Sequence, residues 1–414
     1  MRLIPAAEAR RILAEVPPLA TEIVPFTEAE GRVLGAAVIA PHDLPPDRRA
    51  AMDGYAVRAA DVAGATSEAG AVLRVIGSAP AGHAFAGAVG PGEAVAIATG
   101  AVVPDGADAV VMVEVTAPVD AAGDYVEVGG RVRVMAASVA GAHVVQAGED
   151  LRAGVEVLSA GRRLRVGDVA VLASFGVVDV PVFRRPRIAV LATGSEICPP
   201  RETPRPGQVR DSNQYVLGAE VRSAGGIAVL GGIVADDLDL LRDTVLRLIA
   251  AHDGVILSGG SSVGPKDLTG AVLRALPAPG VLFHGIDIRP GKPTVFARAG
   301  EKPVVGMPGY PTSSMVVFDA FVRPLLARLG GETVTDPWAG PLRARLARPA
   351  SKPASREDYL RVRLSQRDGE VWADALPGGS AAISNVIFAD GLARIPAGVE
   401  RLEAGAWVGV RLFA

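Results

Sequence analysis

The chain has 414 residues, of which 49% are hydrophobic and 21% charged, and this composition is typical of a folded protein. Its length favours about two to four domains. The 45 acidic and 42 basic residues give a net charge of -3, which argues against a general nucleic-acid or membrane-surface binder. No stretch of about 20 predominantly apolar residues is present, so the sequence predicts a cytoplasmic protein without a membrane span.

The cysteines and histidines exclude several kinds of site. Cys198 is the single cysteine, so an internal disulfide and a multi-cysteine metal centre are excluded, and a lone cysteine is more often packed than catalytic. The five histidines lack metal-ligand spacing, which argues against a zinc site. The sequence shows neither a Ser-His-Asp order nor a Walker-type phrase, which disfavours a serine hydrolase and a P-loop NTPase.

The N-terminal half predicts mostly β-structure. Residues 7–15 form a short amphipathic helical pattern, and residues 21–40 have a strand-like composition. The prolines within 44–47 mark a domain entry, because consecutive prolines continue neither a helix nor a central strand. Short valine-rich segments then fill 51–134, which predicts a small, mainly β domain before a helical segment at 166–175.

After Arg184-Arg185-Pro186 the predicted strands and helices alternate. The predicted strands are 188–191, 226–234, 254–257 and 304–306, and the predicted helices are 236–252 and 311–329. Either Asp236 or Asp237 caps the first of these helices. This alternation predicts an open, largely parallel sheet that binds ligands at the carboxyl ends of its strands.

The last part of the chain returns to a β pattern. Residues 359–364 and 371–376 are separated by the turn residues Asp368-Gly369, which predicts a hairpin in a small C-terminal β domain. The predicted fold class is therefore a multidomain α/β plus β protein. It has a three-layer α/β domain with a parallel-rich sheet, small β domains in the N-terminal half and a C-terminal β domain.

Glycine and proline phrases follow the predicted strands of the α/β part. They are Thr193-Gly194-Ser195-Glu196, Gly259 to Gly264, Gly291-Lys292-Pro293 and Met307 to Ser313. Backbone amides that glycine leaves accessible bind phosphate and other oxyanions, especially where a helix begins. The coincidence of these phrases with strand ends predicts a substrate that carries phosphate.

Charged side chains accompany these loops. Arg289, Lys292 and Arg356 are candidate anion-binding groups, arginine through bidentate hydrogen bonds and lysine as a compact charge. Asp267 follows the glycine loop by three residues, and its place at the predicted ligand edge favours a functional role. Glu196 follows a buried strand, where α/β proteins place functional groups.

Further polar side chains are dispersed along the N-terminal half. Asp53 and Asp150, each taken alone, are more typical of a plain turn and of surface charge, whereas the hydroxyl of Thr99 is a candidate donor to an oxyanion. Dispersed carboxylates together with glycine loops and cations are typical of sites where Mg²⁺ and phosphates meet, because carboxylate oxygens bind the metal.

In this order, the phrases closely resemble the molybdopterin molybdenumtransferase family, the molybdenum insertases of the MoeA/gephyrin group. The resemblance spans nearly the whole chain. The matching phrases include Met52-Asp53-Gly54-Tyr55-Ala56, Thr99-Gly100-Ala101, Gly148-Glu149-Asp150, Thr193-Gly194-Ser195-Glu196, Asp211-Ser212-Asn213, Gly259-Gly260 through Asp267, Pro290-Gly291-Lys292-Pro293, and Pro308-Gly309 with Pro311.

The resemblance implies an elongated four-domain protomer that forms a homodimer. The implied domains are a discontinuous, dimer-forming linking domain (1–45 and 138–182), a small mainly β domain (46–137), an α/β molybdopterin-binding domain (183–330) and a C-terminal β domain (331–414). A molybdopterin adenylyltransferase is the implied upstream partner, and no nucleic acid or membrane is expected.

The resemblance also implies the reaction and its residues. Adenylylated molybdopterin and molybdate are converted to the molybdenum cofactor with release of AMP, and Mg²⁺ is required. The catalytic residues are then Asp53, Asp150, Glu196 and Asp267, and the metal ligands Asp236 and Asp267. The substrate-binding residues are Thr99, Asp236, Gly259, Gly260, Ser262, Gly264, Arg289, Lys292, Pro308, Pro311, Arg356, Ser380 and Ser384.

Alternatives remain within and outside this class. Within the class, the alternatives are a tungsten-inserting paralogue and a molybdopterin adenylyltransferase. A non-catalytic scaffold related to gephyrin would keep the fold for partner binding. The retained Asp53, Asp150, Glu196 and Asp267 speak against the scaffold, because a scaffold has little use for them.

Overall fold

A computed structural model describes residues 2–119, 126–259, 268–333, 338 and 342–413. Backbone contacts divide the chain into two compact units. The first unit comprises Met1–Ala36, Ala160–Ala173 and Val177–Ala414. The second unit comprises Ala37–Ser159 and Ser174–Gly176. Within the described residues, the structure has no helix long and apolar enough to cross a membrane.

The second unit is built on a six-stranded mixed sheet. Its strands in spatial order are Ala109–Met112, Gly54–Val57, Glu93–Ile97, Ala71–Ala79, Arg131–Val134 and Thr116–Pro118. Four-residue helix Ala59–Val62 accompanies this sheet, and short pairs join Val38–Ile39 with Glu156–Leu158 and Arg49–Ala50 with Val144–Val145. Strand Ala71–Ala79 buries alternate residues such as Val75, whereas Gly54–Val57 is buried throughout, and the sheet confirms the predicted mainly β character of this region.

The first unit contains the predicted parallel-rich sheet. Its strands in spatial order are Ile227–Val234, Arg187–Thr193, Gly254–Ser258, Lys302–Met307, Val295–Ala299 and Pro279–His284. The first four run parallel, and the last two join antiparallel. The two central parallel strands, Arg187–Thr193 and Gly254–Ser258, are buried on both faces, so their residues are almost continuously apolar rather than alternating.

Helices cover both faces of this sheet and complete three layers. One face packs against a cluster that includes Leu241 and Val272, and the other against a cluster that includes Leu217 and Phe321. The helices of the first unit are Ala6–Ala14, Val166–Ser174 (whose last residue belongs to the second unit), Asn213–Ser223, Leu238–Ala251, Leu268–Arg274, Pro311–Val317, Arg323–Leu329 and Ser384–Phe388. Each fully buried leucine or valine contributes about 1.5–3 kcal/mol to folding.

Helix Leu238–Ala251 matches the strongest helical pattern of the sequence. It begins at Asp237, whose side chain accepts a hydrogen bond from the Leu240 N–H at 2.9 Å. The cap is therefore Asp237, and the neighbouring Asp236 makes different contacts. Leu241, Val245 and Leu248 face the sheet, as their spacing predicts.

The predicted helix over 311–329 is interrupted. A π-helix, Phe318–Val322, separates Pro311–Val317 from Arg323–Leu329. Pro324 has no N–H to offer the carbonyl four residues earlier, so the regular hydrogen-bond ladder cannot continue there. Asp319 in this π-helix is 4% exposed; its carboxylate accepts a hydrogen bond from Arg323 at 3.0 Å and forms an ion pair with Arg411 at 3.2 Å. Burial raises the pKa of Asp319 although both arginines oppose that shift.

The C-terminal part of the first unit is a small β domain. Strands Glu357–Arg367, Glu370–Ala375, Leu342–Leu346, Trp407–Leu412 and Gly391–Ile395 pair in a closed ring, to which the short strand Ile288–Arg289 adds. The predicted hairpin turn is present, since Asp368 and Gly369 have φ values of 48° and 79°.

Shorter strand pairs complete the first unit. They join Thr21–Pro25 with Asp179–Phe183, Ile197–Cys198 with Val209–Arg210, and Ala350–Ser351 with Arg401–Leu402. The predicted fold class, α/β plus small β domains, is confirmed.

Candidate functional site

A cavity of about 910 Å³ lies at the carboxyl ends of the parallel strands in the first unit. Its walls come from the loops after Arg187–Thr193 and Lys302–Met307, from Ser258 and Gly259 at the end of the strand between them, and from the first turn of helix Pro311–Val317. The C-terminal β domain adds a further wall through Arg356. This is the edge at which the strand–helix alternation predicted ligand binding.

The cavity brings together side chains and loops that lie far apart in the sequence. The predicted site residues that line it are Glu196, Gly259, Arg289, Lys292, Pro308, Pro311, Arg356 and Ser380. Ser384 begins the short helix Ser384–Phe388 and is not part of this lining among the described residues.

Close backbone packing shapes the loop after strand Gly254–Ser258. Gly259 has a φ of 106°, and a Cβ atom there would lie 2.4 Å from the Thr193 carbonyl oxygen. The end of strand Arg187–Thr193 is therefore packed directly against Gly259. Only glycine fits this position without moving one strand end away from the other.

A second tight turn presents Lys292 to the cavity. Gly291 has a φ of 110°, and a Cβ atom there would lie 2.4 Å from a Val317 methyl group. Its carbonyl oxygen accepts a hydrogen bond from the Thr294 hydroxyl at 2.7 Å. Lys292 lies at this turn, and its ammonium group forms no ion pair with any residue in the described part of the chain.

Two of the cavity arginines are each paired with an aspartate. Arg289 forms an ion pair with Asp358, and Arg356 Nε donates to Asp287 Oδ1 at 3.2 Å. Burial raises the pKa of Asp358, although the positive charge and hydrogen bond of Arg289 lower it in part. Together with Lys292 and Arg210, which also line the cavity, these two arginines favour an anionic ligand.

The predicted acids Glu196 and Asp236 lie at adjacent loops. Glu196 lines the cavity, and its side chain lies against Gly194, where a Cβ atom would be 2.4 Å from a carboxylate oxygen. Asp236 accepts a hydrogen bond from the Ser195 N–H at 3.2 Å, while its own N–H donates to the Ser195 hydroxyl at 3.0 Å. These reciprocal bonds connect the loop carrying Glu196 to the start of the next helix.

Asn213 lines the cavity but was not among the predicted site residues. Its side-chain N–H donates to the Gly309 carbonyl oxygen at 2.7 Å, which ties the start of helix Asn213–Ser223 to the loop of Pro308. Its Oδ1 atom is buried without a hydrogen-bond partner among the described residues. The phrase Asp211-Ser212-Asn213 ahead of a helix was the available signal.

The other two predicted acids within the described residues, Asp53 and Asp150, lie in the second unit. Asp53 Oδ1 accepts hydrogen bonds from the Thr99 N–H at 2.7 Å and from the Thr99 hydroxyl at 3.0 Å. The structure therefore brings these two predicted residues together, with the Thr99 hydroxyl proton directed at Asp53. Asp150 is exposed, and its N–H donates to the Leu44 carbonyl oxygen at 3.1 Å.

Four predicted residues lie outside the described residues, namely Gly260, Ser262, Gly264 and Asp267. In the described ranges, no group of three or more His, Cys, Asp or Glu side chains is arranged to hold a metal ion. Of the two predicted metal ligands, Asp236 lies in the described part of the chain and offers carboxylate oxygens, the donors that Mg²⁺ prefers. The other predicted ligand, Asp267, lies outside it.

Three family profiles match successive parts of the chain. Residues 4–176 match the MoeA N-terminal region (domain I and II), and residues 189–328 match the probable molybdopterin binding domain. Residues 343–413 match the MoeA C-terminal region (domain IV). The middle match covers the strands and loops that form most of the cavity.

Relatives and solved structures agree with these matches. Molybdopterin molybdenumtransferase 2 from Mycobacterium tuberculosis is 35% identical over 403 residues, 96% of each chain. Molybdopterin molybdenumtransferase from Nostoc sp. is 35% identical, covering 93% of this chain and 87% of its own. A crystal structure of a molybdopterin biosynthesis MoeA protein from Pyrococcus horikoshii is 35% identical, covers 100% of both chains and superposes with a TM-score of 0.84.

The fold and the cavity define a MoeA-like protein with a central domain of the molybdopterin-binding type. Identity of 30% or more over nearly the full length makes the assignment specific. The chain belongs to the molybdopterin molybdenumtransferase family.

Proposed function

We propose that this chain inserts molybdenum into molybdopterin. It takes adenylylated molybdopterin and molybdate as substrates, requires Mg²⁺, and releases the molybdenum cofactor and AMP. A cytoplasmic homodimer and an upstream molybdopterin adenylyltransferase belong to the same proposal. The observation that carries it is the cavity at the strand ends, where Arg289, Lys292 and Arg356 come together.

The cavity has the chemistry that this reaction needs. Both substrates are anions, and the three cations offer planar arginine forks and a compact ammonium charge for their oxygens. The tight loops at Gly259 and Gly291 supply backbone close to the ligand. In such a site, catalysis consists mainly of positioning the reactants and stabilising charge that develops at the phosphate and the metal oxide.

The acids are assigned to the transfer itself. In this proposal Glu196, Asp53, Asp150 and Asp267 orient water, metal or the dithiolene, while Asp236 and Asp267 hold Mg²⁺. The remaining predicted residues contact substrate, and Thr99 orients Asp53 through its two hydrogen bonds. When bound, Mg²⁺ neutralises phosphate charge.

The decisive experiment measures AMP release. Purified full-length protein is incubated with adenylylated molybdopterin and Mg²⁺, together with molybdate, tungstate or neither oxyanion. AMP release that depends on molybdate supports the proposal, and preference for tungstate identifies the tungsten-inserting alternative. Adenylylation of molybdopterin from ATP identifies an adenylyltransferase. A protein that releases no AMP under any condition is the scaffold.

Lys292→Ala tests the cavity directly. We expect AMP release with molybdate to fall roughly tenfold to a hundredfold, the loss expected when one charged hydrogen-bond donor is removed. Arg247→Ala is the matched control, because Arg247 also carries one positive charge but lies on the exposed face of helix Leu238–Ala251. Equal activities of the two variants would place the oxyanion elsewhere.

A further inference from the structure

Two paired strands at the cavity carry the same charges in opposite order. Asp287 directly precedes strand Ile288–Arg289, and Arg356 directly precedes strand Glu357–Arg367, which continues with Asp358. They run parallel, with Ile288 opposite Glu357 and Arg289 opposite Asp358. Because strand side chains alternate between faces, the two aspartates and two arginines share one side.

The matching register creates two ion pairs. Arg289 pairs with Asp358, and Arg356 Nε lies 3.2 Å from Asp287 Oδ1. The Arg289 side chain is 52% exposed, whereas the Asp358 side chain is 1% exposed. Arg289 and Arg356 line the cavity, but neither aspartate does. Each carboxylate therefore holds its arginine from behind the cavity wall.

The buried Asp358 carboxylate relies on Arg289 for its side-chain hydrogen bond. Its Oδ1 atom is buried and has no hydrogen-bond partner in the described ranges, so Arg289 makes its direct side-chain contact through the other oxygen. A guanidinium has five N–H donors, and the bonds to Asp358 and to the Ser351 carbonyl oxygen use one nitrogen. The remaining donors are left for a ligand, in an orientation that the buried carboxylate holds.

We propose that Asp358 and Asp287 are positioning residues that aim Arg289 and Arg356 at the oxyanion groups of the substrate. A pre-oriented arginine loses less side-chain entropy when it binds an anion than a mobile one does. This inference rests on the proposed function, because it assumes that the cavity binds phosphate or molybdate. Glu357, between the two positions, instead pairs with Arg10 and Arg394.

The test is a double-mutant cycle on the full chain, with AMP and molybdate as separate probes and binding measured by calorimetry. The variants are Asp358→Asn, Arg289→Met and the double change, and Asp374→Asn is the control because Asp374 pairs with Arg367 at an exposed position in the same β domain. We expect Asp358→Asn to weaken the binding of AMP or of molybdate about tenfold, the loss that accompanies removal of one charge-assisted hydrogen bond. In the Arg289→Met background the same change should have no further effect.

Other outcomes overturn the inference. Affinity within twofold of the parent in Asp358→Asn, or an equal loss in both backgrounds, would mean that Asp358 does not act through Arg289. If Asp358→Asn fails to fold, the Asp287→Asn and Arg356→Met pair provides the same cycle at a more exposed carboxylate. If the parent protein binds neither probe, the proposed function is refuted together with this inference. If the parent binds a probe and the variants behave as just described, only this inference is refuted.

Discussion

At the scale of single residues, the shape of the cavity depends on positions that only glycine can occupy. Gly259 combines a positive φ of 106° with a Cβ position 2.4 Å from the Thr193 carbonyl oxygen. Gly300 also has a positive φ, 62°, but apart from its own and its two neighbouring residues no described atom lies within 4 Å of its Cβ position. Substituting alanine at each of these two glycines therefore distinguishes the free-energy cost of a steric clash from the cost of an unfavourable backbone conformation.

Gly259→Ala should destabilise the protein by about 2–4 kcal/mol, because the methyl group forces two strand ends apart in addition to straining the backbone. Gly300→Ala should cost only about 1–2 kcal/mol, the strain of a left-handed residue. Urea unfolding of both variants and the parent measures the difference. Equal losses would show that the packing against Thr193 contributes nothing.

At the scale of elements, the N-terminal helix Ala6–Ala14 is tied to the C-terminal β domain. Arg10 donates to Glu357 at 2.7 Å and to the Tyr359 hydroxyl at 2.5 Å, and Tyr359 donates to Glu357 at 2.8 Å. Burial would raise the pKa of Glu357, but the hydrogen bonds and charge of Arg10, with Tyr359 and Arg394, outweigh it and hold that pKa below its ordinary value. This cluster lies on the strand that carries Asp358 and directly follows Arg356.

The lowered pKa of Glu357 makes this attachment sensitive to acid. Its contribution to stability is complete above the unfolded-state pKa and is lost as the pH falls through the lower folded-state pKa. Glu357→Gln should therefore cost about 1–3 kcal/mol near pH 7 and progressively less on acidification. Urea midpoints measured across pH test this. Glu403→Gln, in an exposed pair with Arg401, should leave the midpoint nearly unchanged. A constant difference between Glu357→Gln and the parent would contradict the assignment.

At the scale of the whole molecule, the chain begins in the first unit, leaves it for the second over Ala37–Ser159, and returns to it except for the short segment Ser174–Gly176. Antiparallel pairing of Thr21–Pro25 with Asp179–Phe183 joins the segments that flank this excursion. The segments 1–45 and 138–182, predicted to form the dimer, lie on either side of the N-terminal six-stranded sheet in sequence. Their assignment as a linking domain stays a prediction, as do the other domain bounds.

Light scattering on the purified chain tests the dimer. We expect a mass of twice the 42.3 kDa of the chain, unchanged on dilution into the low micromolar range, since an obligate interface is large and mainly apolar. Removal of Mg²⁺ provides the control and should not alter the mass. A mass of 42.3 kDa would remove the homodimer from the proposal.

The sequence by itself determined the elements and the edge of the sheet at which the cavity lies. Helix Leu238–Ala251, the parallel strands and the Asp368-Gly369 hairpin follow from periodicity and turn chemistry, which act between near neighbours in the chain. Glycine phrases after strands likewise located the loops that line the cavity, because the carboxyl ends of parallel strands meet at one edge.

Tertiary structure decided which side chains are partners. Asp237 rather than Asp236 caps its helix, Asn213 binds the carbonyl of Gly309, and Arg356 meets Asp287 across 69 residues. Such pairs depend on the register between distant segments and on what burial leaves exposed. The local sequence determines neither, because the same aspartate can be exposed to water or paired with an arginine at a cavity wall without any change in its neighbours along the chain.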